Sequence, residues 1–521
     1  MDENEKIIRL TKRRKRGVLR IVFGRTGTVA VLLILQIALV LLVNYWLAEY
    51  FRWFAVGQTV FSVAMIFYLF NSGMDNSAKL TWLNLIMLFP VPGTLFLLFT
   101  KHNIGHRALK DRVEFLIGET KHKLPQNEDV LNEPEITQSG TDDLCRYACR
   151  SGCFPVYRNT SVTYFPLGDD KFPVMLEELK KAERFIFMEY FIIDEGYMWG
   201  RTLAVLAEKA AQGVDVRVMY DGMCEIMLLP HDYPARMEKL GIKCRAFAPI
   251  TPFVSTHYNY RDHRKILVID GQTAFNGGVN LADEYINRGS RFGHWKDTAV
   301  MLKGEAVRSF TLMFLQMWNI PDKMPQWNEY LLPAAPVSAG GYVMPYSDCP
   351  LDDEKVGECV YMDILNRASD YVHIMTPYLI LDGELETSLK FAAERGVDVK
   401  IILPGIPDKK AAYALAKTHY RTLLDSGVKL YTYTPGFVHA KVFVSDGEKA
   451  AVGTINLDYR SLYHHFECGT YMYRADCIPA IEMDFSETLA KCAEVTYDTV
   501  KHEKISYKLA GAFLKIIAPL M

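Results

Sequence analysis

Apolar runs and amphipathic segments alternate along the chain from about residue 165 onward. Residues 184–193 and 214–220 are short and mainly apolar, as is typical of buried strands, whereas residues 200–211 have helical apolar spacing. The second half repeats this order, with helical and strand-like segments at 355–369, 372–380, 384–395 and 397–403. This alternation predicts an α/β fold in which mixed sheets are flanked by helices.

The two halves also share sequence. The tetrapeptide Gly-Val-Asp-Val at 213–216 returns at 396–399, in both cases after a helical segment and at the start of a strand-like one. Residues 324–341, between the halves, are rich in Pro, Gly and Ala, as in a linker. We therefore predict two pseudo-symmetric lobes, one over residues 161–330 and the other over residues 340–510.

Three apolar runs, near residues 28–47, 54–70 and 80–99, precede the lobes. About 20 apolar residues suffice to cross a bilayer, so we expect residues 1–105 to form a helical membrane anchor. Pro90 and Pro92 interrupt the third run, which leaves open whether it spans the membrane or forms a re-entrant hairpin.

Basic residues flank these runs. Residues 1–25 contain nine Lys or Arg, and more follow the third run. A nucleic-acid patch is one interpretation, but an apolar run follows directly, which favours a cytoplasmic flank. We expect a multi-pass protein of the cell membrane with cytoplasmic lobes.

Two further segments lie outside the lobes. Residues 106–160 are mainly polar, and we expect a linker, with no apolar period over 126–143. Residues 511–521 form an apolar tail that either lies at the membrane interface or packs as a terminal helix.

Charge and cysteine content narrow the function classes. Lys and Arg total 59 against 61 Asp and Glu in 521 residues, so no bulk basicity indicates a nucleic-acid partner. The ten cysteines fit a reducing compartment. The spacing of Cys145, Cys149 and Cys153 differs from the usual metal-binding pattern, and we predict no metal there.

One motif occurs twice and carries the candidate chemistry. His-x-Lys-x4-Asp is followed in both copies by Gly at +14 and Asn at +17, counted from the histidine. Two copies in register over five positions are hard to ascribe to chance. The residues involved are His263, Lys265, Asp270, Gly277 and Asn280, and His439, Lys441, Asp446, Gly453 and Asn456.

The spacing suggests a shared phosphate site. Residues two apart in a strand project from the same face, so each copy presents an imidazole beside an ammonium. Two facing copies would place two His, two Lys and two Asn around one phosphate. Gly278 and Thr454 fit a close backbone approach to that anion, and we assign them to substrate binding.

The paired motifs resemble those of the phospholipase D superfamily, and more closely those of bacterial cardiolipin synthases. The resemblance rests on residues 261–271, 277–285 (GGVNLADEY) and 439–467, and covers most of residues 160–510. His465 stands where that family usually has Asn before Phe-Glu. Residues 220–225 follow the family's Asp-Gly pattern only at their start.

The resemblance implies one active site made from both motifs, without a metal or other cofactor. His263 would be the nucleophile, by the family's habit, and His439 the acid and base. Lys265 and Lys441 would hold the phosphate oxygens, with hydrogen bonds from Asn280 and Asn456. Asp270 and Asp446 complete the catalytic set in a supporting role. Glu467 is a candidate to orient an imidazole, with Asp283 and Glu189 as weaker candidates.

The leading hypothesis is a cardiolipin synthase that transfers a phosphatidyl group between two phosphatidylglycerol molecules and releases glycerol. Its partners would be phosphatidylglycerol and membrane lipids, with no nucleic acid; the oligomeric state stays open. A second hypothesis is a hydrolase at the same site, either a phospholipase D or a membrane-tethered nuclease. A third is a non-catalytic phosphate-binding scaffold, which the intact His and Lys of both motifs disfavour.

Overall fold

The computed structural model of the chain describes residues 6–11, 38, 41–42, 45, 52–74, 76–90, 93–94, 97–98, 104–249, 260–289, 291–335, 337–352 and 354–520. The helices are α1 Arg52–Phe70, α2 Asn76–Leu88, α3 Ile104–Thr120, α4 Glu128–Leu131, α5 Pro134–Ser139, α6 Thr141–Gly152, α7 Gly168–Lys180, α8 Tyr197–Ala211, α9 Cys224–Met227, α10 Tyr233–Glu238, α11 Val307–Trp318, α12 Val356–Arg367, α13 Gly383–Glu394, α14 Lys410–Asp425, α15 Tyr459–Tyr463, α16 Ile478–Leu489, α17 Tyr497–Lys501 and α18 Ile505–Ile517. The strands are β1 Thr160–Phe165, β2 Phe185–Tyr190, β3 Asp215–Asp221, β4 Lys243–Phe247, β5 Arg261–Asp262, β6 Lys265–Ile269, β7 Thr273–Gly277, β8 His294–Lys296, β9 Ala299–Gly304, β10 Tyr342–Asp348, β11 Tyr371–Met375, β12 Asp398–Pro404, β13 Lys429–Tyr433, β14 Gly436–Val438, β15 Val442–Ser445, β16 Lys449–Gly453, β17 His465–Tyr473 and β18 Cys492–Glu494.

Two mixed sheets share one strand order. The first is seven-stranded, β1-β9-β7-β6-β2-β3-β4, and the second follows β10-β17-β16-β15-β11-β12-β13 before adding β18. In each, three consecutive strands of the series run parallel (β2-β3-β4 and β11-β12-β13), and the strands on the other side run antiparallel. The central strands β2, β6, β11 and β15 are almost wholly buried, because helices cover both faces of each sheet. The predicted α/β fold with two similar lobes is confirmed.

The lobes are joined by backbone hydrogen bonds at two places. The short strand β5 of the first half pairs parallel with β17 of the second sheet. The short strand β14 of the second half pairs parallel with β8 of the first. Because β5 directly precedes His263 and β14 directly precedes His439, each motif begins where its own lobe contacts the other.

Residues 106–160 differ from the expected linker. They contain most of α3 and all of α4, α5 and α6, and Leu131, Ile136 and Leu144 of these helices are fully buried in the core that includes the second lobe. The helices α4 and α5 are only four and six residues long and bury one position each, Leu131 and Ile136, so no apolar period marks them in the sequence. The segment is a packed layer of helices.

The N-terminal runs are described only in part. Apart from residues 38, 41–42 and 45, the run at 28–47 lies outside the described residues. The run at 54–70 falls in α1, and the run at 80–99 begins in α2, which ends at Leu88. Among the residues that the structure describes, no helix combines the length and the hydropathy needed to cross a membrane.

The C-terminal residues 505–517 form the helix α18, which packs against α14. Gly511 faces α14 so closely that a Cβ there would lie 2.6 Å from the Ala414 carbonyl oxygen. Thr81 of α2 donates a hydrogen bond to the Ile516 carbonyl at 3.1 Å, so the N- and C-terminal helices meet. The outer side of α18 and the neighbouring α2 expose an apolar face, which consists of Leu80, Met87, Leu88, Ile505, Leu509, Phe513 and Ile516.

Candidate active site

His263 lies between β5 and β6, and its partner comes from the other lobe. The Nδ1 atom lies 2.9 Å from both carboxylate oxygens of Glu467, which is on β17. The backbone N–H of His263 donates to the Phe466 carbonyl at 2.9 Å. Backbone and side chain together fix the imidazole, so Nε2 is the ring atom left to react.

His439 repeats this arrangement with the lobes reversed. Its Nδ1 atom lies 2.6 Å from Oδ2 of Asp297, which follows β8 in the first lobe. Its backbone N–H donates to the Lys296 carbonyl at 2.7 Å. In both lobes the backbone N–H of the histidine thus donates to the residue that directly precedes the carboxylate residue, and that carboxylate binds the ring of the same histidine.

The motif spacing in the sequence gives no indication of Asp297, but the strand register does. Gly277 of β7 pairs with Ala299, and Gly453 of β16 pairs with Gly469. Asp297 and Glu467 each stand two residues before those partners and therefore occupy matching positions. An acidic residue two positions before the pairing partner of each motif glycine is the signal that could have found it.

The two carboxylates are supported differently. A Cβ at Gly278 would lie 2.0 Å from Oδ1 of Asp297, so this position needs glycine for the carboxylate to reach His439. Thr454 holds the matching position in the second lobe and donates its hydroxyl to Oε2 of Glu467. Gly278 and Thr454, predicted to bind substrate, thus contact the carboxylates that orient the histidines.

The motif lysines are buried beside the histidines. Lys265 donates to the His263 carbonyl at 2.5 Å, and Lys441 donates to the His439 carbonyl. Neither ammonium group forms a salt bridge with any residue in the described ranges. Burial lowers the pKa of Lys265 to about 8 and that of Lys441 to about 7. A buried, unpaired ammonium group is a favourable partner for an anion.

Lys171 of α7 is a third buried lysine near this site. Burial lowers its pKa to about 7, an effect that Asp297 opposes and Lys265 reinforces. Its Nζ atom lies 3.5 Å from the Tyr190 hydroxyl. The motif repeat gave no indication of this residue, because it lies far upstream of either copy.

Both histidines are neutral near pH 7 in the ligand-free site. Burial lowers the pKa of His263 well below its usual range, and Lys265 and Lys441 add to that effect. Burial and then Lys441 lower the pKa of His439 to about 4, against the opposing effect of Asp297. A phosphate anion between the lysines would raise both values, because it stabilises positive charge nearby.

The motif asparagines lie in the buried site with their amides partly engaged. Asn280 accepts from the Ile192 N–H at 3.0 Å and donates to the Tyr285 hydroxyl at 2.8 Å. Asn456 donates to Ser461 Oγ at 3.0 Å, and its Oδ1 atom has no hydrogen-bond partner among the described residues.

Asp270 and Asp446 are not brought to the histidines. Each lies in the turn after its motif strand, with positive φ of 54°. The carboxylate of Asp270 accepts three backbone N–H groups at 2.8 Å, from residues 183–185. Asp446 does the same with residues 369–371, at 2.8 to 3.0 Å. Both hold the start of the central strand of their lobe.

The weaker carboxylate candidates have other partners. Glu189 accepts from Nε of the buried Arg264 at 2.7 Å, and Asp283 accepts from the Met198 N–H at the start of α8. Neither forms a hydrogen bond with a motif histidine. The site therefore has two histidine–carboxylate pairs, each made across the lobes.

This arrangement can perform phosphoryl-type transfer by covalent catalysis. One imidazole can attack phosphorus through Nε2 while the other carries the proton of the departing or entering oxygen. The lysines can bind the negatively charged oxygens of the phosphate. Aromatic rings surround the histidines, with Phe191 4.9 Å from the His263 ring and Trp295 5.4 Å from the His439 ring.

Comparison with known proteins identifies relatives over most of the chain. A family model described as cardiolipin synthase, PLD-like domain, matches residues 175–318 and 361–489. The cardiolipin synthase of Geobacillus kaustophilus is 32% identical over 504 residues, which are 95% of this chain and 99% of that protein. An uncharacterized protein of Streptococcus mutans is 59% identical over 88% of this chain and 100% of its own length.

A solved structure shows the same fold. The phosphatidylserine synthase of Haemophilus influenzae aligns with a TM-score of 0.54 at 13% identity, over 70% of this chain and 95% of that one.

Proposed function

The chain belongs to the cardiolipin synthase family with phospholipase D-like domains and is a phosphatidyltransferase, and we propose that it joins two phosphatidylglycerol molecules into cardiolipin and glycerol. The supporting observation is the pair of histidines that carboxylates of the opposite lobes hold beside two buried lysines. One phosphodiester replaces another, so the reaction needs no external energy source.

In the first step, Nε2 of neutral His263 attacks phosphorus of one phosphatidylglycerol. Glu467 accepts the hydrogen bond from Nδ1–H and stabilises the positive charge that develops on the ring. The bond from phosphorus to the glycerol oxygen breaks, and His439 gives its proton to that oxygen. The product is a phosphatidyl-histidine on His263 and free glycerol.

His439 must be protonated for this step, although its pKa in the empty site is about 4. The entering phosphodiester carries a negative charge, which opposes the effects of burial and of Lys441. Asp297 stabilises the imidazolium from the Nδ1 side. Substrate binding thus raises the pKa of His439, which takes up the proton from solvent.

In the second step, a terminal hydroxyl of the second phosphatidylglycerol attacks the same phosphorus. His439, now neutral, takes the hydroxyl proton, and the phosphorus–nitrogen bond to His263 breaks. Cardiolipin leaves, and both histidines return to their starting states. Lys265 and Lys441 bind the phosphate oxygens in both steps, with hydrogen bonds from Asn280 and Asn456.

We propose in addition that the protein acts at the cell membrane. The apolar runs at residues 28–47, 54–70 and 80–99 and their basic flanks support an anchor with the lobes on the cytoplasmic side. The apolar face of α2 and α18 supports contact of the lobes with lipid.

Lipid product analysis tests the reaction. We would incubate the purified full chain in detergent with phosphatidylglycerol alone and EDTA, and then separate the lipids. Cardiolipin and glycerol in equal amounts are expected, and both should be lost in His263→Ala and His439→Ala. The matched control is His373→Ala, because His373 is also buried and paired with a carboxylate, Glu482, outside the site.

The other outcomes identify the alternatives. Phosphatidic acid as the sole product would show that water is the acceptor and would overturn the synthase proposal. Product only after addition of another phospholipid would retain the mechanism and replace phosphatidylglycerol as the donor.

A further inference from the structure

We propose that His263, His465 and Glu467 form a binding site for one divalent transition metal such as Zn²⁺, and that the bound metal switches off phosphatidyl transfer. The metal-binding half of this inference rests on geometry alone. The inhibitory half rests on the proposed function, because it requires His263 to be the nucleophile.

The ligand atoms already have the spacing that zinc needs. One atom from each of the three residues lies within 4.8 Å of the others. The Nδ1 atom of His263 is 2.9 Å from Glu467 Oε1, and the Nδ1 atom of His465 is 3.6 Å from the same oxygen. Zinc bonds of about 2.0–2.1 Å in a tetrahedron place neighbouring ligand atoms about 3.3 Å apart. The two distances bracket that value, and the nitrogens of the two imidazoles lie within 4.8 Å of each other, so the side chains are placed to close around one ion.

His465 is the unexplained group at this site. Its side chain is 8% exposed, and neither Nδ1 nor Nε2 has a hydrogen-bond partner among the described residues. A buried polar group without a partner costs free energy, and such groups call for a ligand or another explanation. The ring lies 5.3 Å from the His263 ring, and Phe191 lies near both, 4.9 Å from the His263 ring and 6.4 Å from the His465 ring.

Glu467 is held in a suitable orientation. Thr454 donates its hydroxyl to Oε2, which leaves Oε1 as the oxygen facing both histidines. A carboxylate fixed by a hydrogen bond on its other oxygen is a typical support for a metal ligand. Three protein ligands leave the fourth position open, as in zinc sites that keep a water molecule.

The matching position in the other half of the site cannot bind a metal in this way. His465 stands two residues before Glu467, and Trp295 stands two residues before Asp297. The Trp295 ring lies 5.4 Å from the His439 ring, much as the His465 ring lies 5.3 Å from that of His263. Because indole has no metal-binding lone pair, the pseudo-symmetric site has one metal position.

Metal binding would remove the nucleophile by simple displacement. Neutral His263 binds the cation as its other tautomer: the Nδ1 proton passes to solvent, Nε2 takes up a proton from solvent, and the Nδ1 lone pair binds the cation. In the metal-bound neutral ring the proton is on Nε2, so Nε2 has no free lone pair with which to attack phosphorus. It also occupies Glu467, whose negative charge otherwise stabilises the ring during attack.

Cobalt absorption tests the binding half without any activity measurement. We would titrate the purified full chain with Co²⁺ and record the visible d–d bands of a four-coordinate site. Binding of one equivalent, reversed by Zn²⁺, is expected for the wild type and for the control His373→Asn. His465→Asn should bind at least about 10-fold more weakly. The ten free cysteines do not confuse the result, because thiolate ligation adds a near-ultraviolet charge-transfer band.

Zinc inhibition tests the regulatory half. Transfer would be measured at buffered Zn²⁺ concentrations, each variant being compared with its own zinc-free rate. The wild type should lose activity and recover it with EDTA, and His465→Asn should need at least about 10-fold more Zn²⁺ for the same fractional loss. Equal inhibition of wild type and His465→Asn, or cobalt bands unchanged in that variant, would overturn the inference. If no cardiolipin forms at all, the cobalt titration still decides whether the metal site exists.

Discussion

His439 of the second lobe lies with its Nδ1 atom 2.6 Å from the carboxylate of Asp297, which belongs to the first lobe. The reciprocal pair, His263 and Glu467, crosses the lobes in the opposite direction. Each lobe therefore supplies one histidine and the carboxylate for the other. The acid–base properties of the site depend on how the lobes dock.

Asp297→Asn should lower kcat by about 10²–10⁴-fold with little change in KM. The amide keeps the size of the side chain but cannot stabilise an imidazolium and can impose the wrong tautomer on His439. Steady-state kinetics with phosphatidylglycerol measures both constants. Glu482→Gln, which alters the His373 pair outside the site, should leave them unchanged, and an equal effect of both substitutions would contradict the role of Asp297.

Gly278→Ala should lower kcat by about 10–100-fold without unfolding the protein. The new Cβ would meet Oδ1 of Asp297 at 2.0 Å and displace the carboxylate from His439. The measurements are kcat and the thermal unfolding temperature. Gly383→Ala is the control, because a Cβ there meets no atom within 4 Å. Full activity in Gly278→Ala would show that the carboxylate can move without consequence.

A substrate with a better leaving group should separate the roles of the histidines. The p-nitrophenyl ester of phosphatidic acid needs no proton on its leaving oxygen. His439→Asn should therefore keep a stoichiometric burst of p-nitrophenol, although it loses about 10²–10⁴-fold with phosphatidylglycerol. His263→Asn should show no burst. A burst in His263→Asn and none in His439→Asn would exchange the two roles.

The value of kcat/KM should fall as the pH rises above about 7. Burial lowers the pKa of Lys441 to about 7, so its ammonium is present below that pH and is lost as the pH rises through it. Loss of this cation weakens binding of the phosphate anion. Lys441→Arg should move the alkaline limb to higher pH, since guanidinium stays charged. Lys449→Met, at a buried lysine that begins β16, at the end of the strand opposite Gly453, is the control and should keep the wild-type profile. A profile that stays flat to pH 9 would contradict this assignment.

Charge on the apolar face should impair action on bilayers. The double substitution Leu509→Glu and Phe513→Glu places carboxylates where α18 exposes large apolar side chains. We expect the rate in reconstituted vesicles to fall about 10-fold relative to the rate in detergent. Phe391→Glu charges another exposed aromatic position, on α13, and should leave this ratio unchanged. An equal ratio of vesicle rate to detergent rate in the wild type, the double variant and Phe391→Glu would show that α18 does not contact lipid.

The sequence predicted the two lobes because their strand order and their motifs repeat. It did not reveal Asp297, because the repeat holds within the strands and not across the loops. Glu467 is 28 residues after His439, whereas Asp297 is 34 residues after His263. Six additional residues before β8 hide a correspondence that the hydrogen-bond register of β7 and β9 makes plain.

The recurrence of a residue in both lobes also does not show whether its role is structural or catalytic. Asp270 and Asp446 recur in register with the motif histidines, yet their carboxylates bind backbone N–H groups at the start of β2 and β11. A residue recurs in both lobes when both require it for folding as well as when both require it for catalysis. Here each lobe requires an aspartate to fix the start of its central strand. The helices α4 and α5 leave no signal in the sequence for a different reason, since short helices that bury single positions show no apolar period.

The exchange of carboxylates between lobes has a consequence for truncated forms of the chain. A fragment that ends before residue 340 would keep His263 without Glu467 and Asp297 without His439. His263 and Asp297 would then be exposed to solvent. The strands β5 and β8 would also have unpaired backbone groups, because their partners β17 and β14 are in the missing half. Either half alone should be both inert and prone to self-association, whereas the two halves mixed in one solution should recover turnover together.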